Sequence, residues 1–431
     1  MVGSRKRTRG SAAQVETKES VPKSATQLRN ARKRASKKRK HQETAVQDPS
    51  LKFIHHPLST PLIHSAKRFF RERGSIKSLP IRLGPTECWR TEAKLAVRAG
   101  PHGLDIGLFA PGTHDICRVD GCPAHHPAIN QGVAVVEQAC NAVGLRGYDE
   151  KTGQGDLRYL KFDVHRPTEK IQLTLVWHAD SQEVAGAPLK SLLKKLSEST
   201  LWYSVWANFH PASKHVSRIL NYDTDAWVHL LGSRKMLREQ LLQCALPYAA
   251  PRLCFPPFVF RQANLSAFEE IVVSIRRFIV PQSRVVELYG GVGTIGLHLA
   301  DLVSSLQCSD ENPHNMRCFN RSARGLPVEL RDRLSYESGD AAAQVASLRR
   351  ADVVIVDPPR KGLDETVLSA LERPARCLQR LIYVSCGFPA FQRDADRLLG
   401  AGWSVLHAEG FVLFPGADHL ETFCVFDRQT S

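Results

Sequence analysis

A cysteine and an aspartate follow two apolar segments in the C-terminal third of the chain, and both side chains can take part in chemistry. Cys386 comes directly after the apolar segment 382–385, and Asp357 directly after the segment 353–356. Both segments are typical of buried strands. Because the ends of neighbouring parallel strands meet at the crevice of an open α/β sheet, we expect the thiol and the carboxylate to lie together there. This combination predicts an enzyme.

A glycine-rich turn precedes both groups. Gly290, Gly291 and Gly293 follow the strand-like segment 285–288. Glycines allow a backbone to approach a ligand closely, and a helix beginning near Thr294 would offer free N–H groups at its positive end. The turn has neither the Lys-Ser/Thr of a nucleotide-phosphate loop nor a full Gly-x-Gly-x-x-Gly pattern. A cofactor-binding turn and a tight structural turn both fit this pattern.

Two acidic residues follow the next predicted strands. Asp310 ends the strand after the glycine turn, where an acid commonly accepts hydrogen bonds from ribose hydroxyls, although the adjacent Glu311 is an alternative. Asp340 ends the following strand and is a candidate partner for an adenine amine. Their order along the chain favours ligand contacts over solvated loop positions.

The strand-end turn after Asp357 contains two prolines and two basic residues. The prolines fix φ and make this turn rigid. Arg360 or Lys361 would lower the pKa of the Cys386 thiol, and a thiolate is the reactive form of cysteine. Nearer the C-terminus, the segment 414–422 supplies candidate proton carriers, which are Asp418, His419 and Glu421.

The pattern of hydrophobic residues divides the chain into three zones. Residues 1–80 form a basic, largely disordered tail and linker, with a candidate docking segment at Phe53 and at Phe69-Phe70. Residues 81–250 form a smaller mixed α/β domain. Residues 251–431 alternate strands and helices, which predicts a doubly wound parallel sheet.

Most of the positive charge lies at the N-terminus. The net charge of the chain is +16, and residues 1–42 hold fourteen Lys/Arg against two Glu. Such a segment cannot bury enough apolar surface to fold alone. It indicates a nucleic-acid-binding arm or a nuclear-entry signal, so we expect the nucleus or nucleolus, with an organelle or the cytoplasm as alternatives. An extension that serves only solubility fits the same pattern.

Other classes of protein fit the sequence poorly. There is no apolar run long enough to span a membrane, so we expect an intracellular protein without a membrane partner. The eleven scattered cysteines favour reduced thiols. Cys117, Cys122, His125 and His126 are clustered, but their spacing fits no common zinc site, and we expect no bound metal.

With these residues assembled, residues 86–431 resemble the RNA (uracil-5-)-methyltransferase family, which includes tRNA and rRNA enzymes. The matching segments are Phe-Arg-Gln-Ala-Asn at 260–264, Glu-Leu-Tyr-Gly-Gly-Val-Gly-Thr at 287–294, Asp-Pro-Pro-Arg-Lys-Gly at 357–362, Ser-Cys at 385–386, and Phe-Pro at 414–415 with His-Leu-Glu at 419–421. The resemblance implies a Rossmann-like methyltransferase domain, S-adenosylmethionine as cofactor, RNA as partner and a monomeric enzyme.

The resemblance also implies roles for individual residues. Cys386 would be the nucleophile, Glu421 the base, and Arg360 a group that polarises and orients the uracil. The implied cofactor-binding residues are Gln262, Tyr289, Gly291, Thr294, Asp310, Asp340 and Asp357. Trp202 and Trp206 are candidates for holding the RNA.

The chain departs from the family pattern at several positions. Gly387-Phe388 stand where the family has Asn-Pro, Ala417 replaces a Thr and Gly291 replaces a Cys. Cys122 resembles the last ligand of the iron–sulfur cluster of some relatives, but no Cys-rich group precedes it, so we expect no cluster. Two alternatives to uridine-C5 methylation remain open. These are methylation of another RNA position and a catalytically lapsed RNA-binding or assembly factor.

Overall fold

The computed structural model describes residues 51–74, 76–100, 103–211 and 219–428. The basic clusters of the predicted tail lie outside these ranges. All the described residues belong to one compact unit, Asp48–Ser431. The predicted division into two domains at residue 250 therefore stays a prediction. Within the described residues, no helix has both the length and the apolar character that crossing a membrane requires.

The chain is already folded in the second half of the predicted tail. Helix α1 (Pro61–Glu72) begins after Thr60, whose side chain accepts a hydrogen bond from the backbone N–H of Ile63, and strand β1 (Ile81–Leu83) follows. The prediction of a largely disordered segment up to residue 80 is wrong for these residues. The apolar face of α1 packs against the rest of the protein, and this packing stabilises the ordered helix.

The aromatic pair of α1 provides this packing. Phe69 and Phe70 are 3% and 0% exposed. The ring centroid of Phe69 lies 6.0 Å from that of Phe388, and the ring centroid of Phe70 lies 5.7 Å from that of Phe391. Phe388, which departs from the family pattern, thus packs against α1.

A mixed sheet follows in the middle of the chain. Its strand order is β4-β3-β2-β5-β6-β7-β8, and every neighbouring pair is antiparallel except β6 and β7, which are joined through a helix. The elements of this region are β2 (Glu92–Gly100), β3 (Gly103–Phe109), β4 (Ile116–Arg118), α2 (Pro127–Ala142), β5 (Leu157–Val164), β6 (Ile171–Trp177), α3 (Gln182–Leu196), β7 (Trp202–Phe209) and β8 (Trp227–Leu231).

The C-terminal region starts with a two-stranded sheet and continues with alternating helices and strands. Its elements are β9 (Leu237–Glu239), β10 (Leu253–Phe255), α4 (Leu265–Phe278), β11 (Ser283–Leu288), β12 (Val303–Asp310), α5 (Pro313–Ala323), α6 (Val328–Arg331), β13 (Leu334–Ser338), β14 (Val353–Val356), α7 (Glu365–Glu372), β15 (Arg380–Ser385), α8 (Phe388–Gly400), β16 (Trp403–Val412) and β17 (Glu421–Arg428).

The large sheet has the order β1-β16-β17-β15-β14-β11-β12-β13. The chain proceeds outward from β11 to β13 and then returns to β14 on the other side of β11, which is the switch point where open α/β sheets bind ligands. The sheet is not wholly parallel, since β17 runs antiparallel to β15 and β16. The loop between β16 and β17 contains no crossover helix in the described chain, and such a short connection produces an antiparallel pair.

Alternate residues of this sheet enter two separate hydrophobic cores. Val353 and Ile355 pack with α4 and α5, whereas Val354 and Val356 pack with α1 and α8. Burial on both faces explains the uninterrupted apolar runs of the central strands.

The segment after the glycine turn differs from the prediction. A helix was expected to begin near Thr294, but the structure has turns followed by a single 3-10 turn, Gly296–His298. Gly293 and Gly296 lie within this stretch, and glycine disfavours a continuous α-helix. The turn therefore has no long helix behind it to act as a dipole.

Replacing Phe70 by alanine tests whether α1 is part of the folded unit. We expect Phe70→Ala to lower the free energy of unfolding by about 3–5 kcal/mol because it opens a cavity in a packed aromatic cluster. Urea denaturation measures this change. Leu58→Ala, at a side chain that is 42% exposed, is the control and should cost less than about 1 kcal/mol. Equal, small effects of both substitutions would show that α1 does not contribute to the core.

Candidate active site

The nucleophile and base candidates lie at the same end of two neighbouring strands. The last residue pair between β15 and β17 is Ser385 with Thr422. Cys386 follows Ser385, and Glu421 precedes Thr422, so antiparallel pairing places the two next to each other. Most residues of both strands are buried, so these two groups are held on a rigid sheet.

The acid-Pro-Pro turn reaches the same place from β14. This strand is parallel to β15, with Val356 paired to Tyr383, so Asp357 enters the crevice beside the Cys386 strand. The turn also passes close to the residue after the cysteine. A Cβ atom at Gly387 would lie 2.5 Å from the backbone oxygen of Arg360, which no side chain tolerates. The glycine that departs from the family pattern thus permits this close approach.

The surroundings of Cys386 keep its sulfur protonated in the free protein. Burial, together with the carboxyls of Glu421 and Asp357, raises the pKa of the thiol to about 12, and the guanidinium of Arg360 opposes this rise. Lys361, the other cation considered, instead pairs with Asp364 at 2.7 Å. Arg360 is therefore the cation that can favour the thiolate.

Burial disfavours the charged forms of both Glu421 and His419 in this crevice. Glu421 is 2% exposed, and no donor among the described residues reaches its Oε1 atom. Burial and the nearby Asp357 raise its pKa well above the usual value. Burial and Arg360 lower the pKa of His419 to about 4. Asp418 contacts α1, since its Oδ1 accepts a hydrogen bond from the backbone N–H of Leu62, and its charge opposes the fall in the pKa of His419.

The glycine turn adopts a conformation that needs small residues. Gly291 and Gly293 have φ angles of 56° and 80°, and Tyr289 has a φ of 59°. A Cβ atom at Gly293 would meet the ring of Phe319 at 2.3 Å. The Tyr289 hydroxyl donates a hydrogen bond to Asp364 at 3.1 Å, which fixes its ring. The left-handed conformation of a tyrosine is uncommon and marks a constrained site.

Asp310 is tied directly to this turn. Its Oδ2 accepts the backbone N–H of Gly291 at 3.0 Å, and its Oδ1 accepts from the backbone N–H of Asn312 and the side chain of Asn315, both at 2.9 Å. Glu311 is exposed. Of the two acids that the sequence left open, Asp310 is the one held at the glycine turn.

The other cofactor candidates are less closely grouped. Thr294 is half-buried, and its backbone oxygen accepts a hydrogen bond from His298 at 2.8 Å. Gln262 is half-buried in the loop before α4. Asp340 is exposed after β13, and its Oδ1 accepts from the backbone N–H of Ala343 at 2.7 Å. The backbone N–H of Gly339, the residue before Asp340, donates to the backbone oxygen of Asp310 at 3.0 Å, so the two acids follow neighbouring strands.

Several buried carboxyl groups lie in the crevice, and fewer cations are there to balance their charge. Burial raises the pKa of Glu287 to about 8, and burial together with Asp310 raises that of Asp357 to about 7. Glu287 accepts the backbone N–H of Gly296 at 3.1 Å. A positively charged ligand would relieve the repulsion between these carboxylates.

Sequence reasoning missed Arg261, the residue before Gln262. Its side chain is 1% exposed and forms a 3.1 Å ion pair with Glu239, and it donates to the backbone oxygen of Val164 at 2.9 Å. These bonds hold the loop carrying Gln262 against β5. The sequence contains no local sign of this pairing, because Glu239 lies far away in the chain.

The clustered cysteines and histidines have structural contacts. His126 accepts the backbone N–H of Ala128 at the start of α2, and the His125 ring lies 3.3 Å from the Asn130 side chain. The described residues contain no group of three or more His, Cys, Asp or Glu side chains that could hold a metal ion. Trp202, one of the two tryptophans predicted to hold RNA, donates its indole N–H to the backbone of Leu196.

The buried Glu287 makes stability depend on pH. Its pKa is about 8 when folded and near 4.5 when unfolded, so the unfolded state loses this proton first as pH rises. We expect the free energy of unfolding to fall between pH 5 and pH 8, by up to about 1.4 kcal/mol per pH unit from this group. In Glu287→Gln the fall should be smaller. Denaturation at both pH values measures it.

The exposed Glu337 on β13 provides the control for this prediction. Glu337→Gln should leave the pH dependence of the wild type unchanged. An equal slope in wild type and Glu287→Gln would contradict a protonated Glu287 in the folded state.

Comparisons with known proteins identify the family of the chain. An uncharacterized RNA methyltransferase of Protochlamydia amoebophila is 35% identical over 344 residues, which cover 79% of this chain and 86% of the relative. Another from Geobacter sulfurreducens is 27% identical over 380 residues, covering 84% and 72% of the two chains. No protein-family model matches the chain.

A solved structure has the same fold. The tRNA (uracil-54, C5)-methyltransferase of Pyrococcus abyssi, in complex with S-adenosyl-L-homocysteine, superposes with a TM-score of 0.66 at 19% identity. The match covers 85% of this chain and 82% of that one. The fold is that of the S-adenosylmethionine-dependent methyltransferases, and the chain belongs to the RNA methyltransferase family of its curated relatives.

Proposed function

We propose that this RNA methyltransferase transfers a methyl group from S-adenosylmethionine to C5 of a uridine in tRNA or rRNA, through a covalent bond between Cys386 and C6. The observation that carries this proposal is the convergence of Cys386, Glu421 and Asp357 at the ends of three adjacent strands. Methylation of an amino group would require no thiol at this position. The P. abyssi neighbour, which acts on C5 of a tRNA uracil, supports the same reaction.

The residues of the glycine turn suit the cofactor. We assign Gly291, Tyr289 and Asp310 to its nucleoside part, because Gly291 leaves open space where a Cβ would stand and Asp310 holds the turn with its carboxylate. Gln262, Thr294, Asp340 and Asp357 complete the proposed set. The acidic crevice favours a cation, and the cofactor supplies an electrophilic methyl group on a positively charged sulfur.

Cys386 starts the proposed reaction. C5 of uracil is a weak nucleophile, and addition of the thiolate to C6 converts the ring into an enolate with electron density at C5. A carbon–sulfur bond would form at C6, and C5 would then take the methyl group while the methyl–sulfur bond breaks and its electron pair stays on the sulfur of S-adenosylhomocysteine. Arg360 has two roles here, since its charge favours the thiolate and can stabilise the developing enolate oxygen.

Glu421 completes the reaction. Its carboxylate removes the proton from C5, the C5–C6 double bond re-forms, and the bond from C6 to Cys386 breaks, which returns the thiolate. Burial and Asp357 raise the pKa of Glu421 well above its usual value, which makes its carboxylate a stronger base. Both C5 and C6 have to be reached, so the target base must be flipped out or lie in an unpaired loop.

Two substitutions separate these steps. Cys386→Ala should abolish methyl transfer from labelled S-adenosylmethionine to unmodified total RNA, since no C6 adduct can form. Glu421→Gln should instead accumulate a protein–RNA adduct that survives denaturing electrophoresis, because elimination needs the base. Nucleoside analysis should find ribothymidine with wild type alone.

The exposed Cys88 is a matched control, and Cys88→Ala should methylate RNA as wild type does. Methyl transfer by Cys386→Ala would point to another methylated position. Wild type that binds RNA and never methylates it would indicate a lapsed enzyme.

The pH dependence of the reaction tests the role of Arg360. With a thiol pKa of about 12, the thiolate fraction of wild type increases about tenfold per pH unit below that value. We expect kcat/KM to rise between pH 7 and pH 9, and the profile of Arg360→Gln to move to higher pH, with partial recovery in Arg360→Lys. Single-turnover kinetics measure these profiles. Coincident profiles for wild type and Arg360→Gln would exclude an effect of Arg360 on the thiol.

A further inference from the structure

Three arginines form a basic face on α5 that the proposed reaction does not use. Arg317, Arg321 and Arg324 are spaced by four and three residues, so they lie on one side of the helix, and all three are exposed. The hydrogen bonds and ion pairs of the described residues include none between these guanidinium groups and a carboxylate. Like charges at this spacing disfavour a helix, so the face is suited to an anionic partner.

A cavity adjoins this basic face. It has a volume of about 260 Å³, and its lining includes Trp206, Phe258 and His314 as well as Lys235. Arg317 and Arg321 of α5 also line it. The cavity therefore combines aromatic rings with basic groups, and it lies between β7 of the middle sheet and α5 of the large sheet.

The cavity walls carry a cluster of aromatic rings that meet edge-on or at a tilt. The ring centroids of Phe258 and His314 are 4.6 Å apart, and Trp206 and Trp227 meet Phe258 edge-on at 6.2 Å and 5.6 Å. Phe258 and His314 are half-buried, so both side chains are partly accessible to a ligand. The Nε1 atom of Trp206 has no hydrogen-bond acceptor among the described residues.

The cavity is connected to the candidate cofactor acid through one residue. Asn312 donates its side-chain N–H to the backbone oxygen of Phe258 at 3.2 Å, and its backbone N–H to Asp310 at 2.9 Å. Its side-chain oxygen accepts the backbone N–H of His314. The cavity and the glycine turn are therefore adjacent, and Asn312 connects them through these hydrogen bonds.

We propose that this surface, made of the α5 arginine face and the cavity of Trp206, Phe258 and His314, is a second RNA-binding site that holds an unpaired nucleotide of the same RNA. This inference rests on the proposed function only in taking RNA as the substrate. The base stacks on the rings, as unpaired bases do on aromatic side chains. Arginines bind the adjoining phosphates through paired N–H groups.

Binding of a short fluorescein-labelled single-stranded RNA tests this surface in the full chain. The double variant Arg317→Gln/Arg321→Gln should bind roughly tenfold or more weakly, and the slope of log K against log salt should fall by about 1.4, or about 0.7 for each lost phosphate contact. Binding of S-adenosylmethionine and the melting temperature should stay unchanged. A matched control is Arg68→Gln/Arg71→Gln on α1, which packs on the opposite face of the large sheet.

Photo-crosslinking tests the stacking directly. RNA containing 4-thiouridine should crosslink to the peptides that carry Phe258 or Trp206, and His314→Ala should reduce this crosslink without lowering the melting temperature. Crosslinks confined to other segments would overturn the proposal. So would equal losses of affinity in the α5 and α1 double variants, which would indicate a general effect of charge.

The outcomes also separate this inference from the proposed function. If wild type forms ribothymidine while the α5 variant binds RNA normally, the second site is refuted and the reaction stands. If RNA binding depends on the α5 arginines while no ribothymidine forms, the reaction is refuted and the second site stands. Binding of an acidic peptide in place of RNA, at the same arginines, would overturn the choice of ligand.

Discussion

The close approach of two backbones at the ends of β14 and β15 is the constraint on which the active site depends. Since no side chain fits between Gly387 and the carbonyl of Arg360, the acid-Pro-Pro turn and the cysteine strand lie in direct contact. Asp357, Arg360 and Cys386 are thereby held by backbone geometry rather than by flexible side chains. Sites built in this way keep their geometry without ligand, which is the condition for electrostatic catalysis.

The contact between these two backbones also brings several ionisable side chains together. Cys386, Asp357 and Glu421 share one buried crevice in which Arg360 is the cation that acts on the thiol and on Glu421. Each carboxyl raises the pKa of its neighbours, so the free protein holds its reactive groups in protonated form. Binding of the cationic cofactor and of the uracil would shift the protons of these groups. Ligand binding is thereby coupled to activation of the thiol.

The sequence predicted the strands around the site well because apolar runs such as 353–356 have a single interpretation when both faces are buried. It failed in two situations, where local glycines interrupt an expected helix and where distant residues decide the structure. The helix expected after Thr294 is absent from this described stretch, since glycines interrupt it, and α1 was assigned to the tail because its partner Phe388 lies far along the chain. The pairing of Arg261 with Glu239 depends on tertiary contacts in the same way.

The position of β1 has a consequence for how the protein folds. Arg82 of β1 bonds to Glu409 of β16, which is 327 residues later in the chain, and α1 packs on residues of α8. At synthesis rates of about 5–20 residues per second, the apolar face of α1 waits roughly 16–65 seconds for these partners. The middle sheet can close earlier, because its pairings are more local. The large sheet is thus completed only when β16 pairs with β1, the earliest of its strands in the chain.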